Sequence, residues 1–241
     1  MIGFKPNVQF YQTQLGQGLL EEFQGVDGIR IIDAKLADGT NTNKAAIDSY
    51  APNFDALTLN TPDVEGSITT GKDEGLDSTI MGAMSFPSTL RRLSTHYGVE
   101  MLKDEINRGV DNGAQGIVIG ATSYVPDANI GEAVDKLRRK IDDSDIEHKC
   151  IENLSNDDLA QAIHKRNDVF GYCAGLIGNP NCNLVALVPG FGRQGGNIEQ
   201  FLHSGIDINR CMINAGSAVL KASNPREELE GFNTIINSYK S

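Results

Sequence analysis

From end to end the chain alternates short apolar runs that read as strands with longer segments of helical period, and this alternation constrains its fold more than any other feature. Strand, helix, strand in succession implies parallel βαβ units with right-handed crossovers. Gly116-Ile117-Val118-Ile119-Gly120-Ala121-Thr122 is the clearest such strand, apolar without interruption, as in a parallel sheet covered on both faces. Further strands are predicted over 1–6, 29–35, 55–60, 78–85, 184–188 and 210–214. Helices are predicted over 15–23, 43–50 (opened by Thr42 as N-cap), 90–110, 129–141, 197–203 and 225–239. In the helix over 90–110, Leu93, Tyr97, Met101, Leu102 and Ile106 form the expected inward stripe, and 65–77, rich in Gly and Asp, reads as a connection. Seven strands fall one short of a closed (β/α)8 barrel. The expectation is an α/β chain, a single TIM-type barrel domain over 1–241 that lacks its first strand. The polar region 142–183, with one helical piece over 157–166, reads as an insertion before the seventh barrel strand.

One strand carries charge where a buried strand should not. In Ile31-Ile32-Asp33-Ala34-Lys35-Leu36-Ala37-Asp38, period two places Asp33 and Lys35 on one face and Ile32, Ala34 and Leu36 on the other. Burying an unpaired ion is costly, so Asp33 and Lys35 should neutralise each other, with Asp38 just past the strand end closing a line of alternating sign. At about 4 Å and an effective dielectric of about 20, each opposite charge contributes roughly 4 kcal/mol before desolvation, enough to keep Lys35 charged in a dry pocket. A structural ion pair and a catalytic group fit these residues equally well.

With 241 residues and 39% apolar content the chain can bury a full core. A net charge of −11 without a long basic run argues against non-specific binding to nucleic acid or anionic membranes, while leaving room for a local phosphate site. No apolar run approaches ~20 residues and the N-terminus lacks a basic stretch followed by an apolar core, so neither a membrane span nor a signal peptide is expected and the location is expected to be cytoplasmic. Cys150, Cys173, Cys182 and Cys211 are too sparse for a disulfide scaffold and are expected as free thiols. Together with His148 and His164, the first three fall in 142–183, but their spacing matches no metal signature, and no metal is expected.

In a parallel α/β barrel the strand C-termini and the loops after them form the active face. The unusual polar residues fall there: Lys5, Asp33, Lys35, Asp38, Asn60, Ser85, Thr122 and Ser123. A second motif, Val188-Pro189-Gly190-Phe191-Gly192-Arg193-Gln194-Gly195-Gly196-Asn197, follows the strand at the seventh position. Its glycines free backbone N–H groups to approach an oxyanion, and Asn197 is expected to open a helix whose dipole favours negative charge. By itself a Gly-rich loop is more often a plain turn.

Taken together, Asp33-x-Lys35-x-x-Asp38 and Pro189-Gly190-x-Gly192-x-Gln194-Gly195-Gly196 resemble the orotidine 5′-phosphate decarboxylase family, in its bacterial branch with Phe-Lys-Pro and Gly-Ala-Thr. Phe4-Lys5-Pro6, the strand at 116–122 and Met212-Ile213-Asn214 extend the resemblance over most of the chain. It implies decarboxylation of orotidine 5′-phosphate to UMP without metal or organic cofactor, in a homodimer. Lys5, Asp33, Lys35 and Asp38 then form a catalytic charge network. Asp33 stands against the substrate carboxylate, Lys35 stabilises and protonates C6, Lys5 orients Asp33 and the ribose, and Asp38 reaches into the partner's site. Thr42 contacts ribose or phosphate across the dimer, Ser85 the pyrimidine, and Gln194 the phosphate, within the loop that also holds Gly192, Arg193 and Gly195. Preorganised charge in a water-excluded pocket is the main lever for such a reaction, and remote phosphate binding helps to position the ring.

The chain departs from the family pattern twice. The family's first strand supplies a ribose-binding aspartate, and this sequence starts after it. At the eighth strand an arginine grips the phosphate, whereas Ser217 stands here; losing a bidentate, charge-assisted contact weakens phosphate binding, which Arg193 could partly replace. Two alternatives follow: a non-catalytic nucleotide-binding homologue, and a hexulose-phosphate-synthase-like aldolase that shares the Asp-x-Lys-x-x-Asp strand and needs magnesium, against which the Gly loop speaks.

Overall fold

The computed structural model describes residues 2–14, 16, 18, 21, 27–60, 64–75, 78–84, 90, 93, 98–142, 149–191 and 195–239. They divide into two compact units, Met1–Gly82 with Ile106–Gly116, and Ala83–Glu105 with Ile117–Ser241. Both are built from parallel strands joined through helices.

In the first unit β1 (Ile2–Phe4), β2 (Gly28–Leu36), β3 (Ala56–Leu59) and β4 (Ser78–Met84, its last two residues apart) lie side by side in chain order, every pair parallel. Between them run α1 (Val8–Tyr11), α2 (Thr40–Tyr50) and α3 (Val64–Asp73). Ile32, Ile47, Ala56, Leu57 and Ile68 are wholly enclosed, and Tyr11 stands edge-on to Tyr50 and Phe54. At the strand entry Arg30 grips Asp55 with Nε at 3.1 Å and Nη2 at 2.7 Å, joining β2 to the start of β3. Such a forked pair has geometry that a lysine cannot reproduce.

Two expectations fail here. The segment 65–77 is mostly helix α3 rather than a connection, because Gly66 permits a close approach: a Cβ there would stand 2.3 Å from Thr40 Oγ1. Buried Ser67, Ile68 and Thr70 then pack where propensity alone disfavours a helix. Helix α2 begins at Thr40 with Gly39 as N-cap, so Thr42 lies inside the helix, exposed, and caps nothing.

Helix α4 (Val99–Asp111) spans the division between the units. Leu102 and Ile106 are buried as expected, but Met101 is exposed, one position round the helix from that stripe. Tyr97 lies outside the described residues, as does most of the helix predicted over 15–23.

The second unit holds β5 (Gly116–Ile119, its first residue apart), β6 (Val185–Pro189) and β7 (Cys211–Asn214), in that order. Helices α5 (Ile130–Asp142), α6 (Asn156–Gly178), α7 (Ile198–Leu202), α8 (Gly216–Leu220) and α9 (Pro225–Ser238) complete it. Its core joins Ile117, Ile119, Leu159, Ile163 and Val188 to an aromatic chain through Tyr124, Phe170, Phe201 and Phe191. Helix α6 corrects the reading of 142–183: it does not stop at Arg166 but runs on to Gly178. Ser155 and Asp158 cap each other's backbone at its start, and Leu159, Ala162, Ile163, Val169, Phe170, Cys173 and Ile177 make a buried stripe along both halves of the helix. Arg138 is half-buried and donates to Asn156 Oδ1 and the Glu152 and Leu154 carbonyls, tying α5 to the entry of α6.

Candidate functional site

Strand β2 is regular up to Ile32, which pairs with Leu57; the next register pair is Leu36 with Leu59. More residues of β2 than of β3 fill that interval, so β2 bulges. Lys35 absorbs the bulge with φ of 47°, in the left-handed region, and among the described residues no other non-glycine has a positive φ. Period two predicted the shared face of Asp33 and Lys35, but the physical route is a bulge. Ala34 and Leu36 are half-buried rather than sealed.

Inside the bulge the side chains converge on one carboxylate. Lys5 Nζ lies 2.6 Å and Lys35 Nζ 2.7 Å from Asp33 Oδ2, while Thr58 Oγ1 donates to Asp33 Oδ1 at 3.1 Å and accepts from the Lys35 backbone N–H at 3.0 Å. Thr58 is buried at the centre of β3, so one hydroxyl fixes both the carboxylate and the kink beneath Lys35. The Asp33 N–H donates to the Pro6 carbonyl, which brings Lys5 alongside. Sequence reading missed Thr58; its signal was a single hydroxyl in the otherwise apolar Ala56-Leu57-Thr58-Leu59.

The Lys5 and Asp33 side chains are each 14% exposed and that of Lys35 is 38% exposed, so a sealed pair carries a more open ammonium. For Asp33, burial is the largest influence and opposes ionisation. The Lys5 charge and the hydrogen bonds from Lys35 and Lys5 outweigh it together, and the carboxyl stays below its ordinary range. For Lys5, burial dominates and lowers the ammonium pKa against the pull of Asp33. Two ammonium groups on one carboxylate leave an excess positive charge, suited to an anionic ligand or to developing negative charge.

Of the predicted line of alternating sign, Lys5, Asp33 and Lys35 are in direct contact. Asp38 is exposed past the bulge, where its Oδ1 accepts from the Gly39 N–H at 2.7 Å. Its carbonyl accepts from Nδ2 of buried Asn43, which also donates to Ser67 Oγ, so α2 and α3 hold the loop that presents Asp38. Asn60 is exposed, with its N–H on the Leu36 carbonyl.

The glycine loop belongs to the second unit. Gly190 and Gly195 have φ of 113° and 81°, Phe191 bridges to Gly196, and the Gly196 N–H returns to the Gly190 carbonyl at 3.0 Å. A Cβ on Gly196 would meet Ala121 Cβ at 2.6 Å and Gly190 O at 2.8 Å, so that position requires glycine. Lys136 of α5 brings its Nζ to 3.4 Å from where a Cβ on Gly195 would sit, a cation beside the loop. Asn197 caps α7 through Gln200 N–H, but α7 covers only Ile198–Leu202, too short for the dipole invoked from the sequence. Gly192, Arg193, Gln194 and Ser85 lie outside the described residues. Ser217 falls in α8, one residue after Gly216. Thr122 is exposed and Ser123 buried. Among the described residues no group of three or more His, Cys, Asp or Glu is placed to hold a metal, and no helix is long and apolar enough to cross a membrane.

No protein-family model matches the chain, and no curated protein matches it. Solved structures do. The chain is similar to the orotidine 5′-monophosphate decarboxylase of Methanocaldococcus jannaschii complexed with the inhibitor BMP, with TM-score 0.63 and 17% identity, over 98% of this chain and 86% of that one. It is also similar to the OMP decarboxylase of Leishmania donovani (TM-score 0.61, 18% identity, 98% and 80% covered). A third match is the orotidine 5′-monophosphate decarboxylase of Sulfolobus solfataricus (TM-score 0.57, 17% identity, 98% and 87% covered). At this identity the likeness is one of fold: the chain has the α/β fold of the TIM-type (β/α)8 barrel.

Proposed function

We propose that this chain decarboxylates orotidine 5′-phosphate to UMP without a cofactor. The observation that carries the reading is the Asp33 carboxylate held between the Lys5 and Lys35 ammonium groups on one oxygen. The fold likeness and the BMP complex of the Methanocaldococcus jannaschii neighbour support it. In this reading Asp33 stands against the substrate carboxylate. As the bond from C6 to the carboxylate breaks, carbon dioxide leaves and the electron pair stays on C6 beside Lys35 Nζ. Lys35 then delivers a proton to C6 and is reprotonated from solvent. Being the more exposed ammonium, it is the one a substrate can reach, while Lys5 keeps Asp33 ionised and oriented.

The rest of the reading is proposed with it. Asp38 and Thr42, both exposed on one chain, serve the active site of a second copy in a homodimer. Ser85 takes the pyrimidine, and the loop with Gly192, Arg193, Gln194 and Gly195 takes the phosphate. Gly195 supplies exposed backbone there, Lys136 adds charge, and Ser217 leaves the grip weaker than an arginine would. Orotidylate turnover that survives EDTA and is lost in Lys35→Ala supports the proposal. Activity abolished by EDTA points to the magnesium aldolase reading instead. Thermal stabilisation by UMP without turnover points to a binding homologue.

A further inference from the structure

Four described arginines are half-buried: Arg30, Arg138, Arg166 and Arg210. Three of them spend their N–H groups on the protein. Arg30 forks onto Asp55, Arg138 donates to Asn156 Oδ1 and two carbonyls, and Arg210 Nη1 donates to the carbonyls of Ile177, Asn179 and Cys182. Arg166 has no such acceptor among the described residues, and its Nε is sealed from solvent with no hydrogen bond.

Its place on α6 sharpens the anomaly. The inward stripe steps from Leu159 through Ala162 and Ile163 to Val169 and Phe170, and Arg166 fills the step between Ile163 and Phe170. An aliphatic side chain would fill that step without desolvating a charge. The backbone around it is fixed by its neighbours: Lys165 Nζ donates to the Leu93 carbonyl at 3.0 Å, and Asn167 closes both ends of its amide on Val125, at 3.1 and 2.6 Å. The backbone that carries the guanidinium is thus held by bonds that are not its own.

We propose that Arg166 is an anion receptor, taking a small oxyanion, phosphate or carboxylate, in the fork of its N–H groups. A planar guanidinium matches two oxygens of either group, and such a bond gains strength where water is excluded. Burial lowers its pKa to about 10, so it stays charged at neutral pH. The proposal does not depend on the decarboxylase reading.

The test is an Nε–Hε NMR titration of the full chain in chloride buffer at constant ionic strength. Inorganic phosphate is the first probe and acetate the second, and the Arg166 cross-peak is assigned by its absence in Arg166→Lys. The peak should move saturably with at least one probe, and the stronger probe identifies the oxyanion class. The same probe should raise the wild-type melting temperature by roughly 5 °C at a hundredfold excess over Kd, and by far less in Arg166→Met. Should Arg166→Met not fold, Arg166→Lys serves, with the shift at least halved. An Arg166 peak unmoved by both probes, even while glycine-loop signals move, overturns the proposal. So does an anion-dependent melting shift that persists undiminished in the variants.

Discussion

Lys5 and Lys35 hold the same oxygen of Asp33, at 2.6 and 2.7 Å, and neither would be found by sequence proximity to the other. The contact depends on a parallel pairing that sets Lys5, just beyond β1, next to Asp33 of β2, and on a bulge that turns Lys35 back onto the same carboxylate. Removing the carboxylate leaves two ammonium groups facing each other. Asp33→Asn should therefore abolish turnover and destabilise the chain by about 3 kcal/mol at neutral pH, measured by urea unfolding.

The same carboxylate sets a pH dependence. Its folded pKa lies below the ordinary 3.8, so the stability it contributes is fully present above that value and lost as pH falls through the folded one. Wild type should lose stability below about pH 4 more steeply than Asp33→Asn. Lys5 acts at the other end: burial lowers its pKa from 10.5, so it loses its proton in less alkaline solution than a free lysine would. The alkaline limb of kcat should fall before 10.5, and parallel unfolding curves across pH check both statements.

Thr58 is the hinge of the bulge. Thr58→Val keeps the volume but leaves the Lys35 N–H without its acceptor and Asp33 Oδ1 without its donor. It should cost about 1–3 kcal/mol of stability and lower kcat more than it raises KM. Thr58→Ser should restore most of both, which a purely steric role for Thr58 would not produce.

Lys35 sits at φ 47°, where an L side chain is strained and glycine is not. In an ordinary strand glycine is less stable than alanine. Here Lys35→Gly should be more stable than Lys35→Ala by about 1 kcal/mol, with both inactive. Equal stabilities, or the ordinary order, in thermal unfolding would contradict a left-handed Lys35.

Gly196→Ala forces a methyl against Ala121 Cβ and the Gly190 carbonyl. A stability loss of about 1–3 kcal/mol is expected, together with a raised KM for orotidylate. Gly195→Ala meets no backbone but strains a φ of 81° and crowds Lys136, and should raise KM with a smaller loss of stability.

Much of this was legible because strand period and apolar runs report burial directly. The seven strands and the shared face of Asp33 and Lys35 followed from residue pattern, and the fold class from their count. The bulge was not legible, since a regular strand and a bulged one can present the same two charges. Helix α3 was hidden by glycine and threonine, whose helical state rests on the Gly66–Thr40 approach in space rather than on propensity. Helix α6 was cut short because Arg166-Asn167-Asp168 interrupts its apolar stripe with polar residues, two of which make their bonds only in the folded chain or not at all within it.

The most direct measurement is the loss of orotidylate absorbance with wild type, with Lys35→Ala, and with wild type in EDTA. Turnover by wild type with or without EDTA, and a fall of at least about 10³-fold in Lys35→Ala, is the predicted result. No turnover by wild type, or unchanged turnover in Lys35→Ala, would contradict the account.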